Sequence, residues 1–448
     1  MKIKLIMPRM SLRSMDSELK RRMSPSLALL TIASLTPKEH TVHISDENIS
    51  NIDFVDNPDL VGINVNIDTS KRAFEIANIY RNKGIKVVFG GIHASANAKE
   101  MLKYCDSVLI GEAEMLWSIL LSDFINNCLQ PIYFNELTPD LSSIPILSWN
   151  HIKQKSYLYN NIVITSKGCP FKCDFCYNSC EYITMPYRNR PIEHIIAEIK
   201  NIGSKQIMFI DDNFIGNPIF STNLALELKK LNIIWHAAVS ANIINHKEII
   251  NTFAESGCKS LFIGFESINK HNINSVSKNQ NKIEKYEELI DLLHKKGIMV
   301  NASVVFGFDF DEKTVFKETL NWLVKNKIES MTAHILTPYP GTKLYTEMVQ
   351  ENRITDWDTN HYNTSNVVFQ PKKMTALELK EGYLWIYNEF YAIRNIVKRI
   401  PAFRKNRLPF LLFNFGYRKY GRLTAIIGKL GLMNYIGRLA RKLAYGID

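Results

Sequence analysis

The stretch Ser166-Lys-Gly-Cys169-Pro-Phe-Lys-Cys173-Asp-Phe-Cys176 constrains this chain more than any other, because it crowds three thiols into one short loop. The spacing is C-x3-C-x2-C. Thiolates are soft ligands that suit iron–sulfur clusters, which normally take cysteine at every corner. Three ligands in one loop leave one iron of a four-iron cluster open to a small molecule. Gly168 and Pro170 suit a loop that wraps tightly around a bulky cofactor. Structural zinc is the competing reading, but it usually takes four ligands, often as two C-x2-C-like pairs. No second pair exists here, and Cys180 does not restore one. Three cysteines within eight positions also argue against accidental spacing of buried thiols. The metal ligands expected are Cys169, Cys173 and Cys176.

A chain of 448 residues suggests two or three domains. Seven cysteines, three of them in the loop, fit a cytoplasmic metal protein better than a disulfide framework. The apolar part of Met1–Pro8 is too short for a signal peptide. No apolar run approaches the roughly 18 residues needed to span a bilayer. The net charge of +11 is unevenly placed: Asn395 to Asp448 holds twelve lysines and arginines against one aspartate, so the body before it is neutral.

The first 126 residues alternate strand and helix. Lys2–Met7, Thr41–Ser45, Leu60–Val65, Ile85–Phe89 and Val108–Ile110 read as short strands. Helical patterns fall at Leu27–Leu35, Ser70–Asn82 and 112–125, with Ala73, Ile76, Ala77 and Tyr80 on one face. The class is therefore α/β, beginning with a doubly wound, Rossmann-like parallel sheet that binds ligands beyond the carboxyl ends of its strands. Those ends are Pro8, Asn64–Asn66, Gly90 to His93, and Gly111-Glu112. Residues 127–150, with Pro131, Pro139 and Pro145, read as a linker. Residues 151–350 hold six more strands: Ile162–Thr165, Gln206–Ile210, Ile234–Val239, Ser260–Ile263, Ile298–Val304 and Ser330–Leu336. Helices begin near Pro191, Asn217, His246, Lys282 and Glu312. Six units suggest a partial (β/α)6 TIM-type barrel, open on one side, with its chemistry at the carboxyl ends of the strands. Residues 351–448 read as a helical extension, with aromatics such as Tyr383, Tyr387 and Tyr391 packed on the open side of the barrel or over the substrate.

At the cysteine loop the chain resembles the radical S-adenosylmethionine (SAM) superfamily. There the three cysteines hold a [4Fe–4S] cluster, SAM chelates the fourth iron, and reductive cleavage of SAM yields a 5′-deoxyadenosyl radical. The resemblance implies SAM contacts along the strand ends. Phe175 matches the aromatic position beside the adenine. Asp211, Asp212 and Asn213 match the group that holds the SAM amino group, although adjacent acids at a strand end are often only a helix cap. Gly264 and Glu266 match the ribose or methionine contact, where Glu266 alone would be an ordinary surface acid. Gly307 and Pro338 match the wall around the adenine.

Three further stretches, beginning at Ser24, Gly90 and Ile110, look like the cobalamin-binding domain that precedes many such barrels. Pro8, Gly90, Gly91, His93, Gly111 and Glu112 would then face cobalamin. The D-x-H-x-x-G motif that places a histidine under cobalt is missing. Cobalamin without an axial histidine is expected, with His93 as a substitute ligand or a domain that has lost its cofactor as alternatives. The two resemblances cover residues 1–350 and point to the cobalamin-dependent radical SAM enzymes, including hopanoid methylases and the anaerobic porphyrin cyclase. The implied activity is methylation of an unactivated carbon of a lipid or other hydrophobic small molecule, with radical cyclisation or oxidation as the alternative. A transfer-RNA methylthiotransferase would need more N-terminal cysteines than Cys105 and Cys128. An iron–sulfur electron carrier would need a fourth cysteine ligand.

An electron donor such as flavodoxin or ferredoxin is implied as a partner. The tail, residues 395–447, interleaves Leu408–Phe415 with Arg418, Lys419, Arg422, Lys429, Arg438, Arg441 and Lys442. That pattern suits peripheral contact with the anionic inner face of a membrane better than nucleic acid, and a helical cap with a solvated basic face is the competing reading.

Overall fold

The computed structural model describes residues 1–180, 183, 185–419, 421, 426 and 433–446. Its first sheet is wholly parallel and runs β2 (Thr41–Asp46), β1 (Lys2–Met7), β3 (Leu60–Asn64), β4 (Lys86–Gly90), β5 (Ser107–Ile110), β6 (Ile132–Phe134). The chain leaves β1 first to one side and then to the other, and such a reversal opens a crevice at the carboxyl ends of the strands. Both faces are covered. On one, α2 (Ser70–Arg81) sets Ala73, Ile76, Ala77 and Tyr80 against Ile63, Val87 and Phe89. On the other, α1 (Leu27–Leu35) and α5 (Leu116–Ile125) bury Leu29, Ala33, Trp117 and Leu120 against Ile3, Leu5 and Leu109. Strand β6 comes from the expected linker. Three residues between proline and polar loop are too few to display a period.

The second sheet is also parallel: β7 (Ile162–Val163), β10 (Gln206–Phe209), β11 (Ile234–Ser240), β12 (Cys258–Glu266), β13 (Met299–Phe306) and β14 (Ser330–Ile335), in that order. Helices α6 (Ile192–Ile202), α7 (Pro218–Lys230), α8 (Lys247–Glu255), α10 (Tyr286–Lys295) and α11 (Val315–Lys325) follow its strands, making the partial barrel. Between β7 and α6 an antiparallel ribbon, β8 (Ser166–Lys167) with β9 (Arg188–Asn189), flanks the cysteine loop.

Strand β14 is a barrel edge, and its backbone is satisfied by side chains of α13 (Ala376–Phe390) and the residue after it. Tyr387 OH accepts from Ala333 N at 2.9 Å and donates to Ala333 O at 3.1 Å. Tyr391 OH does the same with Met331 N and O, at 3.1 and 2.9 Å. The match is geometric: four helical residues advance about 6.0 Å, close to the roughly 6.6 Å of two strand residues. Ile335 N donates instead to Thr364 O at 2.7 Å. The aromatics thus pack on the open side, as the sequence suggests.

The basic tail is less exposed than its sequence suggests. Arg399 is wholly buried, donating to the carbonyls of Ile328, Glu329, Phe390 and Asn395. Arg418 lies inside against Asp16, at 3.8 Å. Outward, the helix Met433–Tyr445 exposes Tyr435, Leu439 and Leu443 at four-residue spacing, with Arg438 beside them. Arg422, Lys429 and residue 447 lie outside the described residues. Among the described residues no helix is long and apolar enough to cross a membrane.

Candidate active site

The cysteine loop is anchored at both ends. Asp211, beyond β10, gathers four bonds on Oδ1, from the backbone and hydroxyl of Thr165 (2.9 Å each) and of Ser166 (2.6 Å each). At the far end Arg190 donates to Ile164 O at 2.8 Å, and its backbone to Thr165 O at 2.9 Å. Its charge is met by Glu198 of α6 at 2.6 Å, with both side chains buried. These fastenings fix where the loop leaves the barrel.

Within the loop all three cysteines are free thiols that feel one another electrostatically. Burial raises the pKa of Cys169 and Cys173 and pushes Cys176 up to about 12. The Lys278 ammonium works against this at Cys169 and Cys173, favouring thiolate. Gln280 Nε2 lies 3.6 Å from Cys173 Sγ. Lys278 pairs with Glu266, and although burial opposes its charge, Glu266 and Cys173 hold its pKa up. Glu266 ends β12 at φ +62°, a left-handed conformation costing about 1–3 kcal/mol. The bare Cα of Gly264 leaves room for its carboxylate. Lys278 also lies 5.8 Å from the centre of the Phe175 ring, which meets Phe308 edge-on at 6.3 Å.

A cavity of about 270 Å³ opens beside the loop. Gly91, Ile92, Ser95, Gly111 and Glu112 line it from the first sheet, and Ser166, Lys167, Gly168, Ile210, Asp211 and Asp212 from the barrel. Ion pairs of Glu112 with Arg188 and of Glu114 with Lys167 join the two sides. Gly91 adopts φ +102°, and a Cβ there would strike Asn64 and the backbone of Val65. Gly111, at φ +76°, would point a Cβ into open space. Asp212 is close enough to Cys169 and Cys176 to raise the pKa of both.

The other expected residues fall around this centre. Asn213 is buried and accepts from Ser240 N at 3.2 Å. Pro338 is buried beyond β14. Gly307 borders Leu379 and Phe369, which occupy the space a Cβ would take. Gly90 ends β4 next to Gly91. Pro8 is buried with its carbonyl accepting from Asn48 at 3.3 Å. His93 is not among the cavity-lining residues; it is buried beside Asn97, 3.3 Å away, and burial lowers its pKa to about 4. Cys180 is fully buried against Gly341.

Residues 163–323 match the Radical SAM superfamily profile. The bacteriochlorophyllide d C-12(1)-methyltransferase of Chlorobaculum tepidum is 31% identical over 87% of this chain and 88% of its own length. The chain belongs to the radical SAM superfamily. The hopanoid C-2 methylase of Rhodopseudomonas palustris is 26% identical, over 76% of this chain and 67% of its own. In fold, the radical SAM methyltransferase TsrM of Kitasatospora setae, solved with cobalamin and a [4Fe–4S] cluster, superposes with a TM-score of 0.63 at 15% identity, covering 96% of this chain and 99% of that one.

The residues of this radical SAM enzyme fit the groups its superfamily uses. Three mutually coupled thiols beside a lysine suit a cluster. Among the described residues no three His, Cys, Asp or Glu converge on one metal ion. For the SAM ammonium, Asp211 Oδ2 is a buried oxygen without a hydrogen-bond partner among the described residues, on a carboxyl lining the cavity. For a large flat cofactor, Gly91 and Gly111 offer bare backbone. Sequence reasoning missed Lys278, Gln280, Lys167 and Arg188. They lie in polar loops or a two-residue strand and join the site only through tertiary contacts.

Proposed function

We propose that this radical SAM enzyme transfers a methyl group to an unactivated carbon of a hydrophobic, polycyclic small molecule, using cobalamin seated on its first domain. The observation that carries this is the shared cavity, in which glycine-bearing strand ends of the first sheet face the acids and cysteine loop of the barrel. The substrate class rests on the relatives, which are named for a tetrapyrrole and a hopanoid. When bound, the cluster supplies the electron that cleaves SAM, and cobalamin carries the methyl group.

The chain's own residues position and shield. Asp211 Oδ2 receives the SAM ammonium, Phe175 and Pro338 bound the adenine, and Lys278 balances negative charge on the cysteine loop. Ile92, Ile164, Ile183, Met185 and Ile210 line the cavity and keep bulk water from reactive intermediates. A small flavin or iron–sulfur protein, a flavodoxin or a ferredoxin, serves as electron donor. The outward stripe of Tyr435, Leu439 and Leu443 with Arg438 gives peripheral contact with an anionic membrane, so vesicle binding should fall with salt.

The test is anaerobic turnover with methyl-labelled SAM on bacteriochlorophyllide d and on a hopanoid. Methyl transfer predicts label in product, with both 5′-deoxyadenosine and S-adenosylhomocysteine formed. A modified product without label would defeat this reading and favour cyclisation or oxidation.

A further inference from the structure

The three cysteines of the loop differ in what donates to them. Backbone amides, of Phe171 and of Asn178, favour the thiolates of Cys169 and Cys176. Cys173 is buried and meets a side chain: Gln280 Nε2 donates to its sulfur at 3.6 Å. A backbone amide is present whatever residue carries it, whereas a side-chain donor is lost with a single substitution. The donor at Cys173 is therefore a property of this sequence and not of the loop.

Gln280 sits in a turn, residues 276–281, that is fastened on two sides. Toward the cysteine loop, Asp174 N donates to Val276 O at 3.1 Å and Ser277 Oγ donates to Asp174 Oδ2 at 3.0 Å. The Asp174 carboxylate also accepts from Lys343 at 3.0 Å, and its carbonyl from Leu344 N at 3.0 Å. Toward β12, Asn281 Nδ2 donates to Gly264 O and to Tyr286 OH, at 2.8 Å each. Tyr286 OH donates in turn to Phe265 O at 3.0 Å, and Lys278 pairs with Glu266. Asp174 is the residue after Cys173, so these bonds fix the amide and the sulfur relative to one another.

We propose that Gln280 is a positioning residue for the iron–sulfur cluster, its amide hydrogen bond to Cys173 raising the reduction potential and bringing it within reach of a small flavin or iron–sulfur donor. This rests on Cys173 holding one iron of the cluster, and not on which molecule is methylated. Reduction adds one negative charge, which the cysteine sulfurs share, and a hydrogen bond to sulfur stabilises the more negative state more. Lys278 acts in the same sense, but the Glu266 carboxylate offsets its charge. The Gln280 amide carries no counter-ion, so its effect on the sulfur is not cancelled.

The test is a redox titration, followed by electron paramagnetic resonance, of the full chain with its cluster reconstituted and SAM absent. Wild type is compared with Gln280→Leu, Gln280→Met and Gln280→Glu at a pH where glutamate is ionised, and iron and sulfide content show that each holds its cluster. At a fixed potential the ratio of reduced to oxidised cluster should fall roughly tenfold in Gln280→Leu and Gln280→Met, which is about 59 mV for a one-electron couple. It should fall further in Gln280→Glu, where a carboxylate replaces the donor. After exchange into deuterium oxide, pulsed resonance of the reduced wild type should show a deuteron coupling that Gln280→Leu lacks. Unchanged potentials, or a wild-type deuteron coupling in Gln280→Leu, would overturn the proposal. A fall in the two apolar variants without one in Gln280→Glu would trace the shift to excluded water and overturn it as well. Loss of the cluster in all three variants would make Gln280 part of the fold alone, again against the proposal. Retention of the cluster in Cys173→Ala would remove the ligand assignment itself, a failure distinct from an unmoved potential.

Discussion

The two parallel sheets of this radical SAM enzyme follow the same strand–helix rule, yet they finish their strands in opposite ways. The first sheet ends in bare backbone, Gly90, Gly91 and Gly111, with Glu112 already paired to Arg188. The barrel ends in charged side chains: Asp211 and Asp212, the Glu266–Lys278 pair, and Asp311, which accepts from the backbone of Gly307 and Phe308. Backbone suits a broad ligand that brings its own functional groups. Charged and hydrogen-bonding side chains suit a small polar ligand that must be oriented atom by atom. One topology serves both because ligand chemistry resides in the residue after each strand, not in the sheet.

The largest expected effect breaks the barrel side alone. Cys173→Ala should abolish cluster assembly and 5′-deoxyadenosine formation, whereas Cys180→Ala should retain both, as read from iron content and product chromatography. Retention in the first with loss in the second would reverse the ligand assignment.

Next comes the anchoring of the loop. Glu198→Ala leaves Arg190 buried and unpaired, which should cost about 3–5 kcal/mol of stability. The melting temperature should fall, while the double replacement of Arg190 and Glu198 by apolar residues recovers part of the loss.

The first sheet is tested by Gly111→Val. Its side chain would project into the cavity where Gly111 opens, and the φ of +76° adds strain. Hydroxocobalamin uptake should drop at least tenfold while SAM cleavage without methyl transfer persists. Equal loss of both would mean that the two sheets are not separable in function.

A pH series sharpens the barrel side further. Burial raises the Asp211 pKa from the ordinary value of 3.8 to about 6, outweighing its bonds from Ser166 and Thr165. Its folded pKa lies above its unfolded one, so its contribution to stability is greatest below pH 4 and is lost as pH rises through 6. SAM binding should show the reverse, because only the ionised carboxylate attracts an ammonium. Affinity should fall below pH 6 in the wild type and lose that dependence in Asp211→Asn. Smallest of all, His93→Ala should leave the spectrum of bound hydroxocobalamin unchanged, since His93 lies outside the cavity lining.

The parts of this molecule most legible in sequence were those with a local signature. Thiol spacing marks Cys169, Cys173 and Cys176. Runs such as Lys2–Met7 and Met299–Phe306 are long and apolar enough to declare buried strands. The 3.6-residue period of Ser70–Arg81 gives both helix and buried face. Strand β6 and the ribbon of β8 with β9 carry no period, being two or three residues long. Lys278 reaches the site across more than a hundred residues of chain, so nothing beside it in sequence betrays the role. The tail shows the converse error: Arg399 and Arg418 look like surface charges in sequence, yet backbone carbonyls and Asp16 draw them inside.

The tyrosine hydroxyls that satisfy β14 have a consequence for how the chain comes off the ribosome. The strand is complete at Ile335, but Tyr387 and Tyr391 emerge more than fifty residues later. Through that interval a nascent barrel carries an unpaired parallel edge, the kind of surface that recruits other strands. Chains halted between those points should therefore self-associate, and chains extended past Tyr391 should not.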